Sequence, residues 1–366
     1  MYFNINREVL LSPLQLVNSV VERKQSIPIL SNVLVTLKKE GMTLTATDME
    51  VELIVKVAQE MGMEEVFTLP ARKLFDICKA LPEASSMQFN LKKDQAEIVS
   101  GKSKFILATL PARDFPQIDE INVDINFELT QGTLKKLLED TMFAMAQQDV
   151  RYYLNGLLFE VSNNSLRAVA TDGHRLALKE IALSKEIPEK KQVIVPRKAI
   201  TELMRLLENS EDTMEILIGQ NHIRLNIGDI RFTSKLIDGK FPDYERVIPV
   251  EEENTIIADR EKLRQSLNRA SILSNEKYKG IGVQIKNSLL KAHAHNAEQE
   301  EAQEEIEIEY GGEEMEIGFN VIYLLDALSA IKTDRVKITI KDPSSSCLIL
   351  PEEGGQCKYV VMPMRL

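Results

Sequence analysis

Three stretches decide how the chain is read: NVLVTLKKEGMTLTATD (32–48), GLLFEVSNNSLRAVATD (156–172) and IGVQIKNSLLKAHAHN (281–296). Each alternates apolar and polar residues around a Gly, Asn or Lys turn, the period-2 pattern of a β-hairpin. Each also ends on a related triplet, ATD at 46–48, ATD at 170–172 and AHN at 294–296, every triplet standing 124 residues after the one before. A helical stretch follows at a matching place: ARKLFDICKAL from 71, PRKAITELMRLL from 196 and NVIYLLDALSAI from 320. LPAR (110–113) returns as MPMR (362–365), and Phe115-Pro116 as Phe241-Pro242. Three copies of a unit of about 122 residues therefore fill the chain, too long for solenoid or propeller repeats of roughly 20–50 residues. Each unit is a domain with its own core.

Working outward, each unit reads helix, hairpin, strands, helix, more strands. The first helices are predicted over 7–24, 130–148 and 259–276, where Leu134, Leu137, Leu138, Thr141 and Met142 make one buried stripe. Antiparallel sheets with two helices on one face give an α+β fold class. The boundaries fall in PQIDEINVD and IPVEEEN, which sets the repeats at 1–125, 126–249 and 250–366.

The 366 residues are 44% hydrophobic and 28% charged, enough core for several domains and too apolar for a disordered chain. No apolar run approaches the ~18 residues of a membrane span, and MYFNINREVL lacks a signal pattern. Cys78, Cys347 and Cys357 show no C-x-x-C spacing, which argues for a reducing compartment and against disulfides or thiolate zinc. A cytoplasmic location follows, without a membrane partner.

The net charge of −11 taken alone opposes nucleic acid. Its distribution is uneven. Residues 298–316 (EQEEAQEEIEIEYGGEEME) hold ten glutamates and no base, read as a solvated outer strand with its turn or as an acidic docking site. The six predicted helices together are net positive, so they are the basic part of an acidic protein. One helical face meeting phosphates fits that segregation, and so does ordinary solubility. No helix-turn-helix, zinc finger, basic zipper or aromatic RNA-binding signature is present, and there is no Trp. A DNA contact made by such a chain goes to the backbone, independent of sequence.

Catalytic motifs are absent. Ser100-Gly101-Lys102-Ser103 resembles the end of a P-loop, but the first glycine would be Ala96, and the stretch reads as a hairpin turn. His293 and His295 share one strand face without a third ligand at sensible spacing, so no metal site is expected. Asp172-Gly173-His174-Arg175 has catalytic residue types, yet its counterpart in the first copy reads Asp48-Met49-Glu50. No catalytic residue and no cofactor are assigned. A binding or scaffolding protein is expected.

Several strings resemble the bacterial sliding-clamp family, the β subunits of DNA polymerase III: QDVRYYLNG (148–156), ATDGHRLA (170–177), VIVPRK (193–198), FTSKLIDGKFPDYERV (232–247), ILSNEK (272–277), EMEIGFNV (314–321) and YVVMPMRL (359–366). The resemblance runs to the last residue. It implies the DNA clamp fold: a head-to-tail homodimer whose six domains close a ring around double-stranded DNA, helices inside and sheets outside. It implies a non-catalytic processivity factor that holds the replicative polymerase catalytic subunit, the clamp loader, other polymerases and repair proteins through short linear motifs.

By the same resemblance the partner-peptide groove is lined by Leu154, Thr171, Gly173, His174, Arg175, Leu176, Pro242, Arg246, Val247, Tyr323, Ser346, Val360, Met362, Pro363, Met364 and Arg365. Met, Leu, Val and Pro suit an adaptable apolar groove, although a last edge strand would be as apolar. The DNA-facing candidates are Lys24, Gln148, Tyr152, Tyr153, Arg197 and Lys198, of which the tyrosines serve equally as core. The ring joint would pack Ile272 and Leu273 against Phe105 and Leu107 of the other protomer. VVERKQSIPIL is more charged than the family pattern, and LPEEGGQC before the last strand looks particular to this chain. The competing readings are a metal-dependent nuclease or nucleotidyltransferase with Asp48 and Asp172 holding Mg²⁺, and a DNA-free scaffold of tandem domains.

Overall fold

Alternating apolar positions become strands, and positions spaced by three and four become helices, in the same order three times over. The protein's computed structural model describes residues 2–21, 27–60, 62–118, 120–250 and 254–365. The first repeat runs β1 (Tyr2–Asn6), α1 (Arg7–Val17), β2 (Asn32–Lys38), β3 (Gly41–Thr47), β4 (Val51–Val57), β5 (Glu65–Pro70), α2 (Ala71–Ala80), β6 (Ser86–Leu91), β7 (Gln95–Ser100) and β8 (Ser103–Ala108). The second runs β9 (Val123–Thr130), α3 (Gln131–Glu139), β10 (Gly156–Thr171), β11 (Arg175–Pro196), α4 (Arg197–Leu206), β12 (Thr213–Gly219), β13 (His222–Ile227) and β14 (Ile230–Lys235). The third runs β15 (Thr255–Asp259), α5 (Arg260–Ala270), β16 (Gly280–Lys286), β17 (Leu289–His295), β18 (Glu301–Glu307), β19 (Met315–Asn320), α6 (Val321–Ala330), β20 (Arg335–Thr339), β21 (Cys347–Pro351) and β22 (Cys357–Val361).

All strand pairs are antiparallel, and the chain divides into two compact units. Residues 1–133 and 201–236 form the first. Its eight-stranded sheet has the order β5-β2-β3-β4-β14-β13-β12-β9, and a four-stranded sheet has the order β1-β6-β7-β8. Phe232 of β14 lies opposite Leu53 of β4, and both are fully buried. Helix α1 buries Leu10, Leu14 and Val17 and packs on α2, β3 and β4. Residues 134–200 and 237–366 form the second unit, with a six-stranded sheet β10-β11-β22-β21-β20-β15 and a four-stranded sheet β18-β17-β16-β19. There α5 packs on α6, β17 and β18.

The structure corrects several expectations. A short strand (β1, β9 or β15) precedes each first helix, so the boundary at 125 falls inside β9 rather than in a loop. The first helices stop early. In α1 the chain tightens after Val17, where the N–H of Asn18 donates to Leu14 O and that of Ser19 to Leu16 O, and the helix ends at Val17 rather than 24. In α3 the Thr141 hydroxyl donates to Leu137 O at 2.7 Å while its N–H turns to Leu138 O, and only a 3₁₀ turn, Met142–Ala144, follows. In α5 the Ser271 hydroxyl donates back to Asn268 O and the Ser274 hydroxyl to Ser271 O. Such side-chain bonds compete with the helix ladder. The hairpin expected in GLLFEVSNNSLRAVATD is a bend inside the single strand β10. There Asn163 has φ 51° and the register with β11 shifts on either side of it.

Cys78 and Cys347 are buried, and Cys357 is half-buried. Burial pushes the thiols of Cys78 and Cys347 up to about 11 and about 12, and raises that of Cys357 as well. Because the thiolate is the reactive species, the native protein at neutral pH should give Ellman's reagent one slow thiol, Cys357, and all three only after unfolding. Two or three fast native thiols would contradict this packing.

Candidate functional site

The triplet that marked the repeat is a turn held by side-chain bonds. Between β10 and β11, the Thr171 hydroxyl donates to Arg175 O at 2.6 Å, and Asp172 Oδ1 accepts the N–H groups of His174 (2.9 Å) and Arg175 (3.1 Å). Between β3 and β4 the same turn recurs, Thr47 donating to Val51 O and Asp48 Oδ1 accepting from Glu50 and Val51. Both aspartates are thus turn-closing Asx residues. Among the described residues, no three His, Cys, Asp or Glu side chains converge as metal ligands. Gly173 has φ 89°, and a Cβ there would stand 2.9 Å from both terminal nitrogens of Arg151, so glycine is favoured by the backbone and leaves room for that guanidinium. Arg151 grips Asp149 with two bonds (3.1 and 2.9 Å) and holds its carboxyl down at about 2.

From this turn β11 pairs with β22, Arg175 opposite Val361 and Leu176 opposite Val360. The pairing builds an apolar cluster from Leu158, Val169, Leu176, Leu178, Ile194, Phe241, Tyr244, Leu348, Leu350 and Val360. The turn 241–247 lies on it, with Phe241 and Tyr244 buried and Pro242, Arg246 and Val247 exposed. Burial pushes the Tyr244 hydroxyl up to about 12, and that hydroxyl donates to buried Glu160 at 3.1 Å. The last residues are not an edge strand. β22 lies between β11 and β21, and beyond it the N–H of Met362 donates to His174 O and that of Met364 to Gly318 O. Met362, Pro363 and Met364 are half-buried along this crossing, and Arg365 is exposed.

Arg175 is the polar hub. Its guanidinium donates to Asp172 Oδ2 (3.0 Å), Asp326 Oδ2 (2.5 Å) and Phe143 O (2.7 Å), and lies 4.5 Å over the Tyr323 ring. Thr171, Gly173, His174, Arg175, Leu176, Tyr323, Val360 and Met362 of the expected groove are thereby tied to one neighbourhood. Leu176 and Val360 are buried in its floor, and Leu154 is buried as well. Ser346 is half-buried beside β21. Sequence reading missed Phe143, Asp326 and Arg151, partners far along the chain with no motif of their own, and the cluster members Phe241 and Tyr244, which the recurring Phe-Pro pair could have flagged.

The other candidates separate. Gln148 is exposed with φ 56°, and Tyr152 is 58% exposed, whereas Tyr153 packs on the apolar cluster. Arg197 donates to Met145 O at 2.8 Å, and Arg197 and Lys198 open α4 half-buried. Lys24 lies outside the described residues. Ile272 is 75% exposed and Leu273 half-buried in a 3₁₀ turn after α5. On the edge strand β8, Leu107 is only 6% exposed and faces its own sheet with Phe105, while Ile106 is the outward apolar residue at 57%.

Three family models match in succession: DNA polymerase III beta subunit, N-terminal domain over residues 1–119, central domain over 128–243 and C-terminal domain over 245–365. A beta sliding clamp of Pseudomonas aeruginosa is 51% identical, and one of Escherichia coli K12 is 46% identical, each match covering 100% of both chains. The crystal structure of the DNA polymerase III subunit beta from Pseudomonas aeruginosa superposes with a TM-score of 0.97 at 50% identity over 100% of both chains. A Caulobacter crescentus clamp does so at 0.95 and 36%, over 100% of this chain and 99% of the other.

Replacing Arg175 by Met should leave two carboxylates facing each other without their cation. A loss of about 3 kcal/mol is expected, in the range for breaking a largely buried ion pair, read as a fall of several degrees in the unfolding midpoint. An unchanged midpoint would remove Arg175 from its place as the hub.

Proposed function

The chain belongs to the DNA polymerase III beta subunit family, the bacterial sliding clamps, and from that premise we propose how its parts divide the work. It is the non-catalytic processivity factor of the replicative polymerase, with DNA and the polymerase as partners. The nuclease or nucleotidyltransferase reading falls with that membership, and the two aspartates it needed are spent on turns. The full-length match in three consecutive domains carries this conclusion.

In the proposed mechanism two copies join head to tail through their sheet edges. β8 and β18 are each the end strand of a four-stranded sheet, with unpaired backbone groups ready for another strand. Lys102, just before β8, complements Glu301, Glu305 and Glu307 of β18, while Lys104 and Glu304 are held by Glu97 and Arg269 of their own chain, and Ile272 supplies an exposed apolar anchor. The glutamate-rich run thereby serves as one side of the joint. The closed ring keeps its basic helices toward duplex DNA. Retention is topological, so tight phosphate binding is unnecessary, and an acidic protein with a weakly basic lining slides without reading bases.

The apolar cluster at the β11–β22 joint, rimmed by His174, Val247, Met362 and Met364, takes short linear motifs of the polymerase catalytic subunit, clamp loader, other polymerases and repair proteins. A tethered polymerase then meets its primer end at high effective concentration. A first repeat boundary moved ahead of β9, a second at 249/250 and a cytoplasmic location belong to the same reading. No described helix is long and apolar enough to cross a membrane.

Light scattering on dilution tests the assembly. Twice the chain's 41.5 kDa, held into the nanomolar range, is the expected result, and a persistent monomer would overturn the ring. Ile272→Ala with Leu273→Ala should shift the mass to the monomer at nanomolar concentration, since each aliphatic truncation costs about 2–5 kcal/mol where fully buried. A double variant that stays dimeric would remove those residues from the joint.

A further inference from the structure

The repeat makes a second joint with the same geometry as the peptide groove and the opposite chemistry. Glu52 pairs with Thr233 across β4–β14, as Leu176 pairs with Val360 across β11–β22. Next to Thr233, on β13, stands Arg224, at the register where Leu348 stands beside Val360. Thr45 holds the place of Val169, and Asn226 that of Leu350. A floor that is apolar at one joint is polar at the other, and above it lies a cleft of about 690 Å³.

Four cations cross this cleft in a line. Arg231 lies two residues along β14 from Thr233, the partner of Arg224. Ile54 faces Arg231, and Lys56 is two residues farther along β4. Thr43 faces Lys56, Gly41 is two residues farther along β3, and Lys38 faces Gly41 from β2. Partners across antiparallel strands share a face, as do residues two apart, so Arg224, Arg231, Lys56 and Lys38 form one diagonal stripe. Arg224, Arg231 and Lys56 are successive diagonal neighbours, roughly 7–8 Å apart, and Lys38 lies one strand farther on, across β3 from Lys56; alternate residues of an extended peptide stand roughly 7 Å apart.

None of the four makes an ion pair among the described residues. Burial and the charge of Arg231 lower the pKa of Arg224 despite the opposing charges of Glu52 and Glu120, so the two guanidiniums are held near each other with only partial compensation. Glu52 is 3% exposed, and one carboxylate oxygen is spent on the N–H of Ile118 at 3.1 Å. Glu120 and Asp229 also border the cleft, which leaves it short of negative charge by one.

We propose that this cleft is a second docking site, for an extended acidic peptide segment of a partner protein whose carboxylates alternate along the strand (Glu-x-Glu-x-Glu). Charge complementarity and the match in spacing select that occupant. The site stands whether or not the apolar groove binds peptides.

The test is fluorescence anisotropy at low salt on the full-length protein with labelled Glu-Ser-Glu-Ser-Glu. The chain's net charge of −11 repels such a peptide elsewhere, so saturable binding reports a local site. Wild type should bind it, Arg231→Glu should lose at least tenfold in affinity, and Glu52→Gln should gain severalfold. Lys286→Ala, on β16 outside both sites, should leave this affinity unchanged. Absence of saturable binding, equal affinity in Arg231→Glu, equal binding of the block peptide Ser-Ser-Glu-Glu-Glu, or full displacement by equimolar pyrophosphate would each overturn the proposal.

Discussion

The constraint on which the rest depends is the antiparallel ladder between strands of neighbouring repeats. β11 with β22, and β4 with β14, each carry one repeat's sheet into the next. A ladder with a period of two fixes which side chains share a face and leaves no freedom of register where that face is buried. Leu176 meets Val360, and the turn 241–247 then has a floor to pack on. The crossing of Met362 and Met364 over His174 O and Gly318 O follows from where β22 ends. Site and fold are one object here, because the groove residues are the edges of the ladder.

Since the repeat supplies that ladder twice, differences between the joints are differences of side chain alone. Leu176 and Val360 give one joint an apolar floor, from which an apolar ligand of the proposed kind would expel water. Glu52, Thr233 and Arg224 at the same positions make the other a place where a ligand must bring charge. The turn that opens each joint is shared to the hydrogen bond: Thr171 with Asp172, Thr47 with Asp48. The residues after the aspartate differ, with Gly173 against Arg151 where Met49 takes a φ of 77° in the open. Aspartates that resemble catalytic residues in a string are accounted for by backbone geometry.

The architecture was legible because hairpin alternation and the ATD triplets are local signals that recur. Helix lengths were not. Thr141, Ser271 and Ser274 end their helices by bonding to carbonyls one turn back, and hydroxyl residues carry no periodicity that says when they will do so. The leading strands β1, β9 and β15 were hidden for another reason, being five to eight residues that continue directly into a helix. At the site, the turn residues and the apolar tail were readable as strings. The groups that hold them, Arg175 with Asp326 and Phe143, come together only through the ladder, and no spacing in the chain announces it. Burial also separated neighbours that a string cannot separate, Tyr152 from Tyr153 and Ile106 from Leu107.

A topological hold differs from an affinity in what releases it. Loading the protein onto nicked circular duplex DNA with its clamp loader, isolating the complex, and then cutting the circle once measures that difference directly. The account predicts retention on the closed circle through a wash at high salt and rapid loss after linearisation, since a ring runs off an end while phosphate contacts persist on cut DNA. Equal retention on circular and linear DNA, or loss from both in salt, would contradict it.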